Sequence, residues 1–242
     1  MSISLPEQIQ NLAQELNQRL GKLSFPEPVA YVYNAFDYAF PGHVAYTDKF
    51  ATNTKRVFFL GMNPGPWGMA QTGVPFGEIS AVRDWMGLHA EIGRPEPEHP
   101  KRPIEGYDCQ KSEVSGRRLW GYFAEKFGPA ENFFKEHFVT NYCPLAFMEE
   151  SSRNLTPDKL PASVSKTLEE ICDWHLRELV NLLEPEWVVG VGGFAEKRAK
   201  EALPDQGLKF GRILHPSPAS PAANRDWAGT AEKQLFQQGI WE

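Results

Sequence analysis

Val57-Phe58-Phe59-Leu60-Gly61-Met62-Asn63-Pro64-Gly65-Pro66-Trp67-Gly68-Met69-Ala70-Gln71-Thr72-Gly73-Val74-Pro75-Phe76-Gly77 is the stretch from which the rest of the chain can be placed. Its first four residues are apolar, the length and composition of a strand buried on both faces, as in a parallel sheet. Gly then recurs at five positions and Pro at three. A Gly-rich loop can be no more than a tight strand-to-helix turn. Five glycines, three prolines, two aromatics and a lone Asn exceed what a turn requires. In open α/β sheets, ligands bind outside the carboxyl ends of the strands. The loop is therefore read as a pocket, with Asn63 held at the strand end by stiff Pro and adaptable Gly.

The same pattern recurs downstream. Phe138-Val139-Thr140 reads as a second strand, delivering Asn141 into Tyr142-Cys143-Pro144-Leu145. Trp187 to Gly192 reads as a third, and Arg212-Ile213-Leu214 as a fourth, running into His215-Pro216-Ser217-Pro218-Ala219-Ser220-Pro221. Helical spacing links Leu5, Ile9, Leu12, Leu16 and Leu20. It predicts further helices over 78–88, from Ser115 or Gly116 to Phe127, near 130–136, over 163–183 and 193–203, and from about Asn224 to Gln238. Residues 24–50, rich in aromatics and Pro, read as an irregular wrap with short helix. Residues 91–115 and 149–162 read as loops. His175 falls on the apolar face of the longest helix and reads as a core histidine. Gly190-Val191-Gly192-Gly193 lacks the spacing and acidic partner of a dinucleotide fingerprint. The expectation is one α/β domain over 1–242. A central, mostly parallel four-stranded sheet is flanked by helices, and the N-terminal helix and aromatic wrap of 1–50 pack onto it.

The 242 residues, 41% hydrophobic and 23% charged, suit one large globular domain. No apolar run approaches the ~20 residues that span a bilayer, and the N-terminal segment lacks a signal-peptide core. A cytoplasmic protein of bacterial type with no membrane partner is expected. Three widely spaced cysteines without Cys-x-x-Cys read as reduced thiols, not as disulfides or a structural zinc. The net charge of −6 argues against a protein that coats nucleic acid non-specifically. It leaves room for an enzyme that touches few phosphates.

In a parallel sheet, Asn63, Asn141 and His215 share one edge. The motif shows no carboxylate beside Asn63, no nucleophile elbow, no metal-ligand spacing and no phosphate-binding Gly-Lys-Ser/Thr. An amide positions a water without taking its proton, and a histidine donates a hydrogen bond to developing negative charge. The set suits a leaving group that departs early as a stabilised anion, attacked by a water that needs positioning.

Gly61 to Gly77 closely resembles the first motif of the single-strand-selective monofunctional uracil-DNA glycosylases. His215-Pro216-Ser217-Pro218, with Pro221, Asn224 and Trp227, resembles their second. Ser112-Glu113-Val114-Ser115-Gly116 and Asn141-Tyr142-Cys143-Pro144-Leu145 are similar to further family segments. The resemblance implies a cofactor-free, metal-free glycosylase, monofunctional since neither motif holds a lysine for Schiff-base chemistry. It would release uracil and 5-modified uracils such as 5-hydroxymethyluracil from single- and double-stranded DNA by base flipping, acting as a monomer at the nucleoid. By the same resemblance, Asn63 holds the attacking water and His215 supports the uracil O2. Asn141 reads the uracil edge and Phe76 stacks on the flipped base. Gly65 leaves space beside C5, with Met62 on the same wall. Pro216, Pro218 and Pro221 stiffen a wedge that fills the gap in the duplex. Ala219 stands where animal members carry Arg, which changes the wedge. Ser112, Ser115, Gly116, Ser217, Asn224 and Arg225 complete the expected DNA contacts. A catalytically silent uracil or damage binder is the second reading, supported by Ala219 and the acidic charge.

Overall fold

A computed structural model describes residues 3–204 and 207–242. A capping box opens α1 (Leu5–Leu20): Ser4 Oγ accepts from the Glu7 N–H while the Glu7 carboxylate accepts from the Ser4 N–H. Its stripe of Ile9, Leu12, Leu16 and Leu20 is buried, as the spacing predicts. The aromatic segment after it is more regular than a wrap, comprising β1 (Tyr31–Asn34), α2 (Ala35–Tyr38) and α3 (Phe40–Phe50). Its rings enter the core; buried Tyr46 donates its O–H to the Val139 carbonyl at 3.0 Å.

β2 (Val57–Gly61) is buried at every residue. The loop beyond it contains the short α4 (Met69–Thr72), and α5 (Val114–Phe127) and α6 (Ala130–Phe134) follow the long loop. β3 (His137–Asn141) then enters the sheet beside β2, and α7 (Ala162–Leu183) crosses to β6 (Trp187–Val191). After α8 (Gly193–Ala202), β7 (Lys209–Ile213) completes a sheet of order β3-β2-β6-β7, and α9 (Pro221–Gln237) closes the chain. Every pairing in this sheet is parallel. The four strands therefore end at one edge, as expected. Phe59, Trp120, Phe123 and Phe133 fill one side of the core, with Phe123 and Phe133 stacked at 4.3 Å. Each such ring contributes roughly 1.5–3 kcal/mol by leaving water.

The helix expected over 78–88 is shorter, helical over 79–85 with Ala81–Trp85 as a π turn; the Glu78 side chain accepts the Ala81 N–H at its start and left-handed Gly87 lies beyond its end. One expectation fails: residues 145–148, given no element from the sequence, and part of the 149–162 loop form a second, antiparallel sheet, in which β4 (Leu145–Met148) pairs with β1 and with β5 (Asn154–Leu155). Buried Cys109, Cys143 and Cys172 are free thiols, and His175 lies in the core.

Candidate active site

Register builds the site. β2 and β3 pair so that Gly61 lies beside Asn141. A Cβ at Gly61 would overlap both Asn141 Oδ1 and the Phe76 ring, so this glycine lets the two side chains converge. Asn141 Oδ1 is buried without a hydrogen-bond partner. Its Nδ2 reaches only Met69 Sδ, a weak acceptor, at 3.3 Å. Asn63 Nδ2 donates to the Leu145 carbonyl at 3.1 Å, which orients the amide and leaves Oδ1 as its free acceptor. Phe76 is held at φ 52°, in the left-handed region. Its carbonyl sits where a Cβ on Gly116 would be, so Gly116 serves the close approach of α5 to this residue.

His215 faces the Phe76 ring at 6.3 Å. The Ser217 N–H donates to His215 Nδ1 at 3.1 Å, which places the ring hydrogen of the neutral tautomer on Nε2. Burial lowers the His215 pKa and favours that neutral form. Trp227 Nε1 and Gln234 Oε1 pin the preceding residue through the Leu214 carbonyl and N–H, both at 2.7 Å. Gly192, at φ 95°, leaves room for the His215 ring. The Gly-x-Gly-Gly run is thus part of the packing of the site.

Asn63, Gly65, Phe76, Asn141 and His215 line one cavity of about 210 Å³. The second sheet completes it with Phe147, Asn154 and Leu155. Met62 departs from its expected place. It is half-buried and outside the cavity lining, its carbonyl accepting from the Cys143 N–H; buried Met69, also outside the lining, touches Asn141 Nδ2 through its Sδ. The side-chain space at Gly65 is also not open: a Cβ there would overlap the carboxylate of Glu113. The pocket therefore does hold a carboxyl group, supplied from a distant loop. Burial, with Glu78 nearby, pushes its pKa up to about 7. Gln71 ties the two loops together, accepting from the Glu105 and Gly106 N–H groups and donating to the Pro66 and Pro103 carbonyls.

Of the expected DNA contacts, Ser115 and Ser217 reach the cavity, while Gly116 and Pro216 are buried. Ser112, Pro218, Ala219, Asn224 and Arg225 are exposed beside it. Arg118, unassigned from sequence, organises this rim by donating to the Pro216 and Ser217 carbonyls and to Asn224 Oδ1, the last at 2.8 Å. Asn224 Nδ2 in turn donates to the Pro218 carbonyl at 2.9 Å. Among the described residues, no group of three or more His, Cys, Asp or Glu side chains is placed to hold a metal ion. No described helix is long and apolar enough to cross a membrane.

Chemically, the cavity offers one oriented amide acceptor, one unpaired amide edge, one neutral N–H donor and an aromatic face. Residues 48–241 match the uracil DNA glycosylase superfamily. The chain belongs to that superfamily. Within it, the chain is 49% identical over 229 residues to the single-strand selective monofunctional uracil-DNA glycosylase of Rattus norvegicus, covering 93% of this chain and 82% of the relative. The Mus musculus protein of the same name is 48% identical, with 93% of this chain and 81% of the relative covered. These identities place the chain in that family of the uracil DNA glycosylases. The crystal structure of wild-type Pedobacter heparinus SMUG2 has the same fold, with a TM-score of 0.68 at 18% identity over 95% of this chain and 97% of the other.

Proposed function

We propose that this pocket hydrolyses the N-glycosidic bond of uracil in DNA and leaves an abasic site. The carrying observation is the convergence of three complementary groups around the Phe76 ring: the unpaired Asn141 acceptor, the His215 Nε2–H and the free Asn63 Oδ1. Asn141 Oδ1 suits the uracil N3–H and its Nδ2 suits O4. Cytosine, with a lone pair at N3 and an amine at C4, would meet the reverse of each. A polar site left unpaired by the wrong base discriminates strongly. Phe76 stacks on the base, an interaction typically worth ~1–3 kcal/mol.

As the C1′–N1 bond lengthens, charge gathers on O2, where His215 Nε2–H donates to it in a site already shaped for that charge. Being neutral, the imidazole needs no proton from solvent to do so. Asn63 Oδ1 accepts from a water below the sugar and aims its lone pair at C1′. The base leaves as a stabilised anion and the water oxygen bonds to C1′. Its proton passes to solvent or to the departing base.

In a duplex the target must leave the stack, at a cost of a few kcal/mol, and the 215–221 loop fills the gap. Its prolines and the Arg118 clamp fix it before contact, so little chain entropy is lost on insertion. With Ala219 at its tip, this wedge acts on single strands at least as well as on duplex. Few phosphates are neutralised, in keeping with the acidic chain, so the salt dependence of binding is shallow. Both sheets contribute to the cavity, which supports one domain. The free thiols support a reducing cytoplasm. The test is incubation with uracil-containing oligonucleotides, single- and double-stranded, in EDTA, followed by alkaline cleavage of abasic sites. Strand breaks at uracil are expected; intact DNA in both contexts would refute the proposal.

A further inference from the structure

The mouth of the cavity has a second fastened lip besides the 215–221 loop. Arg102 joins two segments that line the cavity, the loop after β2 and the β4–β5 hairpin. Its guanidinium lies 5.1 Å from the centre of the Trp67 ring and donates through Nε and Nη2 to the Ser152 carbonyl, at 3.4 and 3.2 Å. Trp67 follows closely on Gly65 and Ser152 closely precedes Asn154, both of which line the cavity. The corner is held from several sides. Buried Tyr33 donates its O–H to the Arg102 carbonyl at 2.9 Å. Gln71 Nε2 reaches the Pro66 and Pro103 carbonyls, each at 3.0 Å, which fixes the backbone next to Trp67 and Arg102. Ser152 meets Arg102 from a φ of 75°, a left-handed conformation uncommon outside glycine.

Charge separates this corner from others like it. Trp174, Trp241 and Trp187 also lie under a cation, from Arg19, Lys126 and Lys209 respectively. Each of those cations is paired with a carboxylate, on Glu15, Glu232 and Glu186. Arg102 forms no ion pair among the described residues, although the chain is acidic; Glu98 and Glu149 in its two segments pair with Arg94 and Arg153 instead. Its Nη1 has no partner among the described residues. The indole N–H of half-buried Trp67 is likewise unpartnered there and is not enclosed, so that edge of the ring meets solvent. An uncompensated guanidinium beside an open aromatic ring matches an anion joined to a flat base.

We infer that Trp67 and Arg102 hold the nucleotide next to the flipped one in single-stranded DNA, its base on the indole and its phosphate on the free edge of the guanidinium, a role that rests on the uracil reading above. The DNA backbone is continuous, so a base seated in the cavity brings its neighbours to the rim. In a single strand that neighbour is free to stack on protein. In a duplex it stays paired and stacked within the helix. Every base has a π face, so the corner adds affinity for single strands without a sequence requirement. It neutralises one phosphate, in keeping with the acidic chain.

The experiment is single-turnover uracil release from a single-stranded oligonucleotide at rising protein concentration, read as the half-saturating concentration. The intact strand is compared with strands in which a tetrahydrofuran residue, which lacks a base, replaces the nucleotide 5′ or 3′ of uracil. In wild type, removing the base on one of these sides should raise the half-saturating concentration about tenfold, within the range for one stacked base. In Trp67→Ala the same removal should have almost no effect, and Trp67→Phe, which keeps a ring, should restore most of it. Comparing strands within one protein cancels any general weakening of the pocket. In a salt titration on the intact strand, Arg102→Gln keeps an N–H for the Ser152 carbonyl but no charge. It should lower the slope of log affinity against log salt by about 0.7, the share of one single-strand phosphate. Arg177→Gln, at an arginine that bonds the Ala202 carbonyl and lines no part of the cavity, should leave the slope unchanged. No loss on either side in wild type, or equal losses in wild type and Trp67→Ala, would overturn the stack. An unchanged slope in Arg102→Gln would overturn the phosphate contact, and if Trp67→Ala does not fold that slope decides. Wild type that releases no uracil at any concentration would instead overturn the uracil reading.

Discussion

Two polar clusters stand back to back at the end of β3, and they differ in how fully their groups are paired. On one side Asn141 presents an unpaired Oδ1 to the cavity, with the unpaired Oε2 of Glu113 in the same wall. On the other, the next residue, Tyr142, donates its O–H to Asp173 Oδ1 at 2.6 Å and accepts from Arg198 Nε at 3.2 Å. Arg198 also bridges Asp173 at 2.5 Å, Glu201 at 2.8 Å and Glu169 at 3.1 Å. Alternation along the strand sends the two side chains to opposite faces. The paired cluster ties α7 and α8 to the strand end and holds the unpaired one in place. Polarity alone does not mark the site; polar groups without partners that line a shared cavity do.

The sharpest break of that comparison lies on the cavity side. Asn63→Ala or His215→Ala should slow single-turnover uracil release by ~10²–10³, the usual cost of removing a preorganised electrostatic group. Urea midpoints should barely move, since neither side chain closes a buried network. Full rate in both variants would break the assignment of chemistry to this face. Asp173→Ala is the reverse case. It strands Arg198 and the Tyr142 hydroxyl, so urea unfolding should report a loss of about 1–3 kcal/mol. Folded protein should still release uracil within a few-fold of wild type. Abolished release at unchanged stability would show that the clusters are not divided as described.

Arg118→Ala sharpens the picture at the rim. Losing its bonds to the 216–217 carbonyls and Asn224 should slow release from duplex about tenfold, roughly the worth of one charge-assisted hydrogen bond. Single-stranded substrate, which on the proposed reading needs no wedge, should be affected less. The smallest effect is on melting. Glu113 has a folded pKa raised from 4.5 to about 7. Its favourable contribution is therefore full below the unfolded value and lost as pH rises through the folded one. Glu113→Gln should melt like wild type near pH 4 and higher than wild type at pH 8. About 1 kcal/mol would appear as a shift of roughly 2–4 °C in a chain of this size. Equal melting points at pH 8 would mean that the burial of this acid carries no electrostatic cost.

Asn63, Asn141 and His215 were legible because each ends or follows a short apolar run, and a parallel sheet gathers strand ends at one edge. Their convergence is written in local composition. Glu113 is not, because its place in the pocket depends on a long loop folding back onto Gly65 and Gly68, a contact with no local signal. Arg118 is hidden for the same reason, reaching a segment nearly a hundred residues away. The second sheet escaped because β4 is only four residues long and buried throughout, too short for periodicity to show. Met62 misled because motif position fixes a backbone path and not where the side chain points; the methionine sulfur that touches Asn141 belongs to Met69.

The pairing of Gly61 with Asn141 has one further implication. Sliding β3 by one residue against β2 would turn Asn141 out of the cavity and bring its hydroxylated neighbour Thr140 or the bulky Tyr142 opposite Gly61. Asn141 is thus an alignment mark for the sheet. A chain that collapsed with this strand misplaced would be compact and silent. Turnover per molecule then measures how faithfully the centre of the protein was assembled, and refolding yield judged by uracil release should lag behind yield judged by helix content.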